Sequence, residues 1–120
     1  TLCIEPNSKY YMCDFITTTH EGIELVEQVD EPNFKLHLDI GNMILEGENV
    51  MESIYKSVEK KILYHIHFST KDLGEFSNIQ EYSVYLRQIT EISDYNGNIS
   101  FEIVNETLYN CIKSIRSCIK

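Results

Sequence analysis

The chain has 120 residues, of which 42% are hydrophobic, and carries a formal charge of −9. This length and apolar content suffice for one domain, residues 1–120, and the acidic balance disfavours binding to nucleic acid or to an anionic membrane. No apolar run approaches the roughly 18 residues of a membrane span. We expect a cytoplasmic protein, because four cysteines without CxxC spacing favour reduced thiols.

Strand and helix signals alternate along the chain. The predicted strands are residues 2–5, 34–39, 62–67 and 99–104. Each is a short apolar run, whereas residues 6–17, 41–49 and 68–78 have the composition of loops.

A helix is predicted after each strand. The first begins at the Thr18-x-x-Glu21 capping box and ends before Pro32, and the second contains the apolar stripe from Met51 to Val58. The third and fourth are predicted over residues 79–93 and 105–119. Strands joined by helices of this length run parallel with right-handed crossovers, so the order predicts an α/β fold.

Each predicted strand ends near a side chain that can bind a metal ion. These residues are Glu5, Asp39, His67 and Glu102, at intervals of 34, 28 and 35 residues. One strand–helix unit takes roughly 30 residues, and the carboxyl ends of parallel strands lie at one edge of a sheet. We therefore expect the four side chains to converge on one divalent ion.

Strand parity separates a polar face from an apolar one. The four candidate ligands share their face with Cys3, His37, His65 and Ser100, and the other face is apolar. A parallel sheet covered by helices on both sides would be apolar on both faces. The polar face is instead typical of the interior of a (β/α)8 barrel, where active sites lie at the C-terminal strand ends.

Four strand–helix units make only half of such a barrel. A half-barrel alone leaves two open sheet edges and an uncovered inner face. We expect either a homodimer of two copies or a complementing N-terminal half-barrel on a missing portion or separate chain. The start at Thr1, one residue before a predicted core strand, favours the second arrangement.

The residues at these strand ends resemble a known family. The motifs are Ile4-Glu5-Pro6, His37-Leu-Asp39-Ile-Gly-Asn42, His65-Ile-His67 and Phe101-Glu102. In this order and spacing they are similar to the sugar-phosphate isomerase/epimerase superfamily, the xylose isomerase-like TIM barrels that include ketose 3-epimerases. The resemblance covers nearly the whole chain and implies the C-terminal half of the barrel, strands five to eight.

The resemblance also implies an activity, that of a metal-dependent sugar or sugar-phosphate isomerase or epimerase once the barrel is complete. It implies that Glu5, Asp39, His67 and Glu102 bind one Mn²⁺, Co²⁺, Mg²⁺ or Zn²⁺ ion. It further implies that Glu5 and Glu102 are the acid/base pair of an enediolate mechanism.

Two alternatives to this activity stay open. One is a non-catalytic half-barrel that retains the metal ligands. The other is an apurinic-site endonuclease-like hydrolase, which the charge of −9 and a ligand set for a single ion disfavour.

Neighbouring positions depart from the pattern of the family's epimerases. Asn42 stands where many members have His, and Tyr11 where epimerases have Glu. Thr70 and Leu73 replace an acid and a substrate-binding Arg. We nevertheless predict that Asn42, Lys71 and Tyr11 contact a small sugar or sugar phosphate.

Two further histidines, His37 and His65, each precede a candidate ligand by two positions on the same strand face. The pattern favours buried, hydrogen-bonded histidines that fill a polar layer. The functional alternative is that they support and orient the metal ligands from behind.

Overall fold

The computed structural model describes residues 1–76, 79–104 and 106–119 and contains one parallel sheet of four strands. The strands are β1 (Leu2–Ile4), β2 (Phe34–Asp39), β3 (Leu63–Phe68) and β4 (Asn98–Phe101). Their order in the sheet is their order in the chain, and all three pairs are parallel. The predicted α/β fold with parallel strands is therefore confirmed.

Five α-helices connect and follow these strands within the described ranges. They are α1 (Thr19–Val29), α2 (Ile40–Leu45), α3 (Val50–Glu59), α4 (Ile79–Thr90) and α5 (Leu108–Ile119). The predicted capping box is present, because the Thr18 side chain accepts from Glu21 N while the Glu21 carboxylate accepts from Thr18 N. Among the described helices, none is both long enough and apolar enough to cross a membrane.

The segment after β2 differs from the sequence prediction. Residues 41–49 were expected to be a loop, but Ile40–Leu45 is the short helix α2. The carboxylate of Asp39 caps it by accepting from Asn42 N at 2.7 Å, which satisfies an amide that has no partner within the helix.

The remaining differences concern where elements begin and end. β3 begins and ends one residue later than predicted, and β4 is shorter, so Glu5 and Glu102 lie one residue beyond the strands. The predicted loop residues 77 and 78 and the predicted helix start at residue 105 lie outside the described residues.

The two faces of the sheet differ in composition, as strand parity predicts. On one face, Leu36, Leu38 and Ile66 are at most 1% exposed and pack in the core with residues of the helices. The opposite face carries His37, His65 and His67, which are only partly buried. The chemistry-bearing side chains thus lie on the face that the helices leave uncovered.

Candidate metal centre

The strand ends place four possible ligands together. One ligand atom from each of Glu5, Asp39, His67 and Glu102 lies within 4.8 Å of the others. Asp39 and His67 are register partners on the central strands β2 and β3, while Glu5 and Glu102 follow the outer strands β1 and β4. The residues predicted from spacing and parity therefore form one cluster at the carboxyl edge of the sheet.

The two oxygens of the Asp39 carboxylate have different surroundings. Oδ1 accepts from Asn42 N and from Ser69 Oγ, both at 2.7 Å. Oδ2 is buried and has no hydrogen-bond partner among the described residues. An unsatisfied buried oxygen is energetically costly. A cation bound beside Oδ2 would supply the partner that this oxygen lacks.

The imidazole of His67 has a similar unpaired atom. Its Nδ1 lies 3.3 Å from Glu102 Oε2 and 3.8 Å from Glu5 Oε1. That nitrogen is buried and makes no hydrogen bond to any residue the structure describes. The unpaired nitrogen of His67 and the unpaired oxygen of Asp39 belong to the same four-residue cluster.

Burial and charge repulsion raise the pKa of two carboxyl groups in the cluster. Burial, reinforced by the charges of Asp39 and Glu102, raises the pKa of Glu5 to about 7. Burial also raises the pKa of Asp39, although its hydrogen bonds from Ser69 and Asn42 act in the opposite direction. Both shifts mean that negative charge is unfavourable here without a positive partner.

These features fit a divalent cation. Three carboxylates and one imidazole suit Mn²⁺, Mg²⁺ or Co²⁺, which prefer oxygen ligands or mixed oxygen and nitrogen ligands. A cation would give Asp39 Oδ2 and His67 Nδ1 a partner and would relieve the repulsion that raises the pKa of Glu5.

The other two histidines lie one step further down the sheet. His37 and His65 are register partners, and their rings stack with centroids 4.7 Å apart. His37 Nε2 is 3.8 Å from Glu5 Oε1, and His65 Nε2 shares a 2.8 Å hydrogen bond with Ser100 Oγ. His37 thus approaches a candidate ligand directly, whereas His65 is bonded to a serine.

Two predicted substrate contacts meet where the loops after β1 and β3 come together. The Tyr11 hydroxyl accepts from Asp72 N at 2.9 Å. Lys71 Nζ lies 4.5 Å from the centroid of the Tyr10 ring, in a cation–π arrangement. These contacts join the loop after β1 to the loop after β3.

The third predicted substrate contact, Asn42, is 8% exposed. Its Oδ1 accepts from Ser8 N at 3.1 Å, and its Nδ2 donates to Asn7 Oδ1 at 3.3 Å. The side chain therefore ties the loop after β1 to helix α2.

Comparison with known proteins shows to which family the chain is related. Residues 1–116 match the family described as xylose isomerase-like TIM barrel. The chain belongs to that family. The match covers all four candidate ligands and confirms the resemblance read from the strand-end motifs.

Two of the proteins that resemble this member of the xylose isomerase-like family are sugar epimerases by name. Over 92 residues it is 27% identical to an L-ribulose 3-epimerase of Methylomonas sp. strain DH-1. This alignment covers 77% of the chain and 32% of that relative. It superposes on a D-allulose 3-epimerase of Methylomonas sp. with 26% identity and a TM-score of 0.64, covering 92% of the chain and 39% of the neighbour.

A second structure supports the fold alone. The chain superposes on a D-psicose 3-epimerase from Clostridium cellulolyticum H10 with a TM-score of 0.66 at 23% identity. The superposition covers 94% of this chain and 38% of that one. The structure therefore matches part of a TIM barrel, in agreement with the half-barrel predicted from strand count and parity.

The sequence interpretation missed the residues that hold the ligands in place. Ser69, directly after β3, fixes Asp39. Glu46 anchors the loop after β1 by accepting from Ser8 Oγ at 2.6 Å and from Lys9 N at 2.8 Å. The only hint in the sequence was position, since Ser69 and Ser8 lie two and three residues after candidate ligands.

Proposed function

We propose that this chain is the metal-binding half of a sugar or sugar-phosphate isomerase or epimerase. The observation that carries the proposal is the four-residue cluster in which Asp39 Oδ2 and His67 Nδ1 are buried without partners among the described residues. Its family and its likeness to an L-ribulose 3-epimerase support a small sugar as substrate.

In this proposal, Glu5, Asp39, His67 and Glu102 hold one divalent ion. Mn²⁺, Co²⁺, Mg²⁺ and Zn²⁺ are all compatible with three carboxylates and an imidazole. When bound, the ion acts as a Lewis acid on the carbonyl of the sugar.

Glu5 and Glu102 are the proposed acid/base pair. They follow the two outer strands and so approach the cluster from its opposite sides. One carboxylate removes a proton from the carbon beside the carbonyl, which gives an enediolate, and the other returns a proton from the opposite face of that carbon. Asp39 is held by Ser69 and Asn42 and keeps the cluster in place.

The predicted supporting and substrate-binding residues complete the proposal. His37 and His65 lie two residues before Asp39 and His67 on the inner face of the sheet, and Asn42, Lys71 and Tyr11 are the proposed contacts to the sugar. The remaining strands come from a second copy or from an N-terminal half-barrel. A cytoplasmic setting is included because the four cysteines lack CxxC spacing, which favours reduced thiols.

A non-catalytic half-barrel that keeps its metal ligands is the second candidate. It is favoured by the polar groups at the substrate positions, which already have partners within the chain. The Thr70 hydroxyl donates to Gly74 O at 2.9 Å, and the Asn42 side chain is bonded to Asn7 and Ser8.

Metal binding and proton exchange distinguish the two candidates. We expect the protein with its full complement of strands to bind about one Mn²⁺ per barrel, as one four-ligand cluster requires. We also expect it to incorporate solvent deuterium into a ketose from a panel that includes L-ribulose and D-psicose. Absence of Mn²⁺ binding would overturn both candidates, and binding without exchange on any ketose would leave the non-catalytic one.

Replacement of Glu102 by Gln tests the acid/base assignment. We expect Glu102→Gln to lose deuterium incorporation while its circular dichroism spectrum stays that of the parent. Glu91→Gln is the matched control, because Glu91 is exposed and lies directly after α4. Retained exchange in Glu102→Gln would remove Glu102 from the acid/base pair.

A further inference from the structure

Three histidines on the inner face form a second group with metal-binding geometry. One ring nitrogen from each of His37, His65 and His67 lies within 4.8 Å of the others. The rings of His37 and His67 meet edge to face with centroids 4.0 Å apart, and those of His65 and His67 with centroids 4.8 Å apart. We infer that His37, His65 and His67 form a second metal site, suited to Zn²⁺, which shares His67 with the carboxylate cluster.

The strand register explains why the three rings meet. His37 and His65 are register partners on neighbouring parallel strands, and His67 follows two residues later on β3. Residues two apart on a strand point to the same face, and neighbouring strands lie about 4.8 Å apart. The backbone therefore holds the three imidazoles together, independently of the loops.

The hydrogen bonds of the group differ from those of a simple polar layer. A buried histidine that only fills space is expected to have its ring nitrogens satisfied. His37 Nε2 is instead buried with no hydrogen-bond partner in the described part of the chain, as is His67 Nδ1. His65 shares its hydrogen bond with Ser100 Oγ through Nε2, so its other ring nitrogen is the one available to a metal ion.

The two groups favour different ions. Three carboxylates and one imidazole favour hard ions such as Mn²⁺ and Mg²⁺, whereas three imidazoles carry no negative charge and favour Zn²⁺ or Cu²⁺. Three histidines with an open fourth position are a known type of zinc site. Because His67 belongs to both groups, an ion held by the three histidines removes one ligand from the carboxylate cluster. Zn²⁺ at the histidines and Mn²⁺ at the carboxylates would then exclude each other.

This inference depends on the proposed function only through the assignment of His67 to the carboxylate cluster, so the test measures the two ions separately. Zn²⁺ affinity of the metal-free protein is measured by competition with a chromophoric chelator, and Mn²⁺ affinity from the electron paramagnetic resonance signal of free Mn²⁺. The variants are His37→Gln, His65→Gln and Glu102→Gln. His20→Gln is the matched control, because His20 is exposed on α1.

We expect His37→Gln and His65→Gln each to weaken Zn²⁺ binding by more than about tenfold, while Mn²⁺ binding changes severalfold at most. Loss of a residue that only supports the carboxylate ligands would weaken both ions alike, by about 10- to 100-fold. Glu102→Gln should have the opposite effect: its Mn²⁺ affinity should fall, while its Zn²⁺ affinity should stay that of the parent protein.

Thermal unfolding of each variant, followed by circular dichroism, separates lost binding from lost folding. Unchanged Zn²⁺ affinity in folded His37→Gln and His65→Gln, or equal losses for both ions, would overturn the second site and leave the carboxylate cluster intact. Failure of the parent protein to bind Mn²⁺ would instead count against the proposed function.

Discussion

The carboxylate of Asp39 combines two roles in one residue. One oxygen accepts from Asn42 N and Ser69 Oγ, and the other is buried and free of partners within the described residues. The first oxygen fixes the side chain to α2 and to the end of β3, so the second has a defined direction. If Asp39 is a metal ligand, as proposed, a carboxylate held in this way would need little reorganisation when an ion binds.

Ser69→Ala tests this positioning. The substitution removes the 2.7 Å hydrogen bond from Ser69 Oγ to Asp39 Oδ1, so the carboxylate is held only by Asn42 N and can turn more easily. We expect Mn²⁺ affinity to fall about 10- to 100-fold, the usual effect of losing a residue that holds a metal ligand. Free Mn²⁺ measured by electron paramagnetic resonance gives the affinity.

Ser57→Ala is the matched control for Ser69→Ala. Ser57 is also fully buried, and its hydroxyl donates to Ser53 O at 2.8 Å within α3, away from the cluster. Both variants should lose about 1 kcal/mol of unfolding free energy with the hydrogen bond, but only Ser69→Ala should lose Mn²⁺ affinity. Equal Mn²⁺ affinities in the two variants would argue against a positioning role for Ser69.

At the residue scale, the sequence was informative where spacing and chemistry coincide. Glu5, Asp39, His67 and Glu102 could be picked out because each follows an apolar run at an interval of one strand–helix unit. Ser69 could not, because a serine after a strand is common and its partner, Asp39, lies 30 residues away. Such partners depend on the register between strands, which local sequence does not specify.

At the element scale, the short helix α2 depends on the single capping residue Asp39. Residues 41–49 were predicted as a loop, and Gly41 and Asn42 at its start are poor helix formers. The Asp39 carboxylate caps the helix by accepting from Asn42 N. Helices of six residues depend on such caps and on packing rather than on propensity.

Gly41→Ala tests how closely α2 packs on the end of β3. A Cβ at Gly41 would collide with Ser69 Oγ and would lie 2.9 Å from Ser69 O. Backbone cannot move aside cheaply, so we expect a loss of about 1–3 kcal/mol in unfolding free energy. Mn²⁺ affinity should also fall, because Ser69 holds Asp39. Urea denaturation measures the first effect and Mn²⁺ titration the second.

Gly74→Ala provides the comparison for Gly41→Ala. A Cβ there meets only Lys71 O, at 3.9 Å, which is ordinary van der Waals contact. We expect a change within about 0.5 kcal/mol and no effect on Mn²⁺ affinity. If both glycine variants behaved alike, close packing of α2 against Ser69 would not explain how Asp39 is held in position.

At the scale of the whole molecule, the sheet has two outer strands with one neighbour each. β1 and β4 end the order β1-β2-β3-β4, and the inner face carries the four candidate metal ligands. Unpaired strand edges readily accept further strands. The epimerases to which the chain is similar extend well beyond it, since it spans 32% of the L-ribulose 3-epimerase and 39% of the D-allulose 3-epimerase chain.

We expect the chain to associate in solution, either with a second copy or with an added N-terminal half-barrel. Light scattering over a range of concentrations would then give at least two chains of 14.0 kDa per particle, or a one-to-one complex when the other half is supplied. A monomer that remains folded at every concentration and ignores the added half would contradict this expectation.

The overall architecture was predictable because hydrophobic periodicity, element order and strand parity all indicated the same fold. The apolar face with Leu36, Leu38 and Ile66 and the polar face with His37 and His65 together distinguish a barrel interior from an ordinary double-wound sheet. These residues do not determine how the barrel closes, because closure depends on further strands that would pair with the outer strands β1 and β4.

The cluster at the strand ends also bears on how this half-barrel keeps its shape. Its four residues come from both outer and both inner strands and are separated by 34, 28 and 35 residues of chain. An ion bound by all four would therefore act as a reversible cross-link across the full width of the sheet, closing three long loops at once. The same four side chains would then determine both the affinity of the protein for its metal ion and its stability against unfolding.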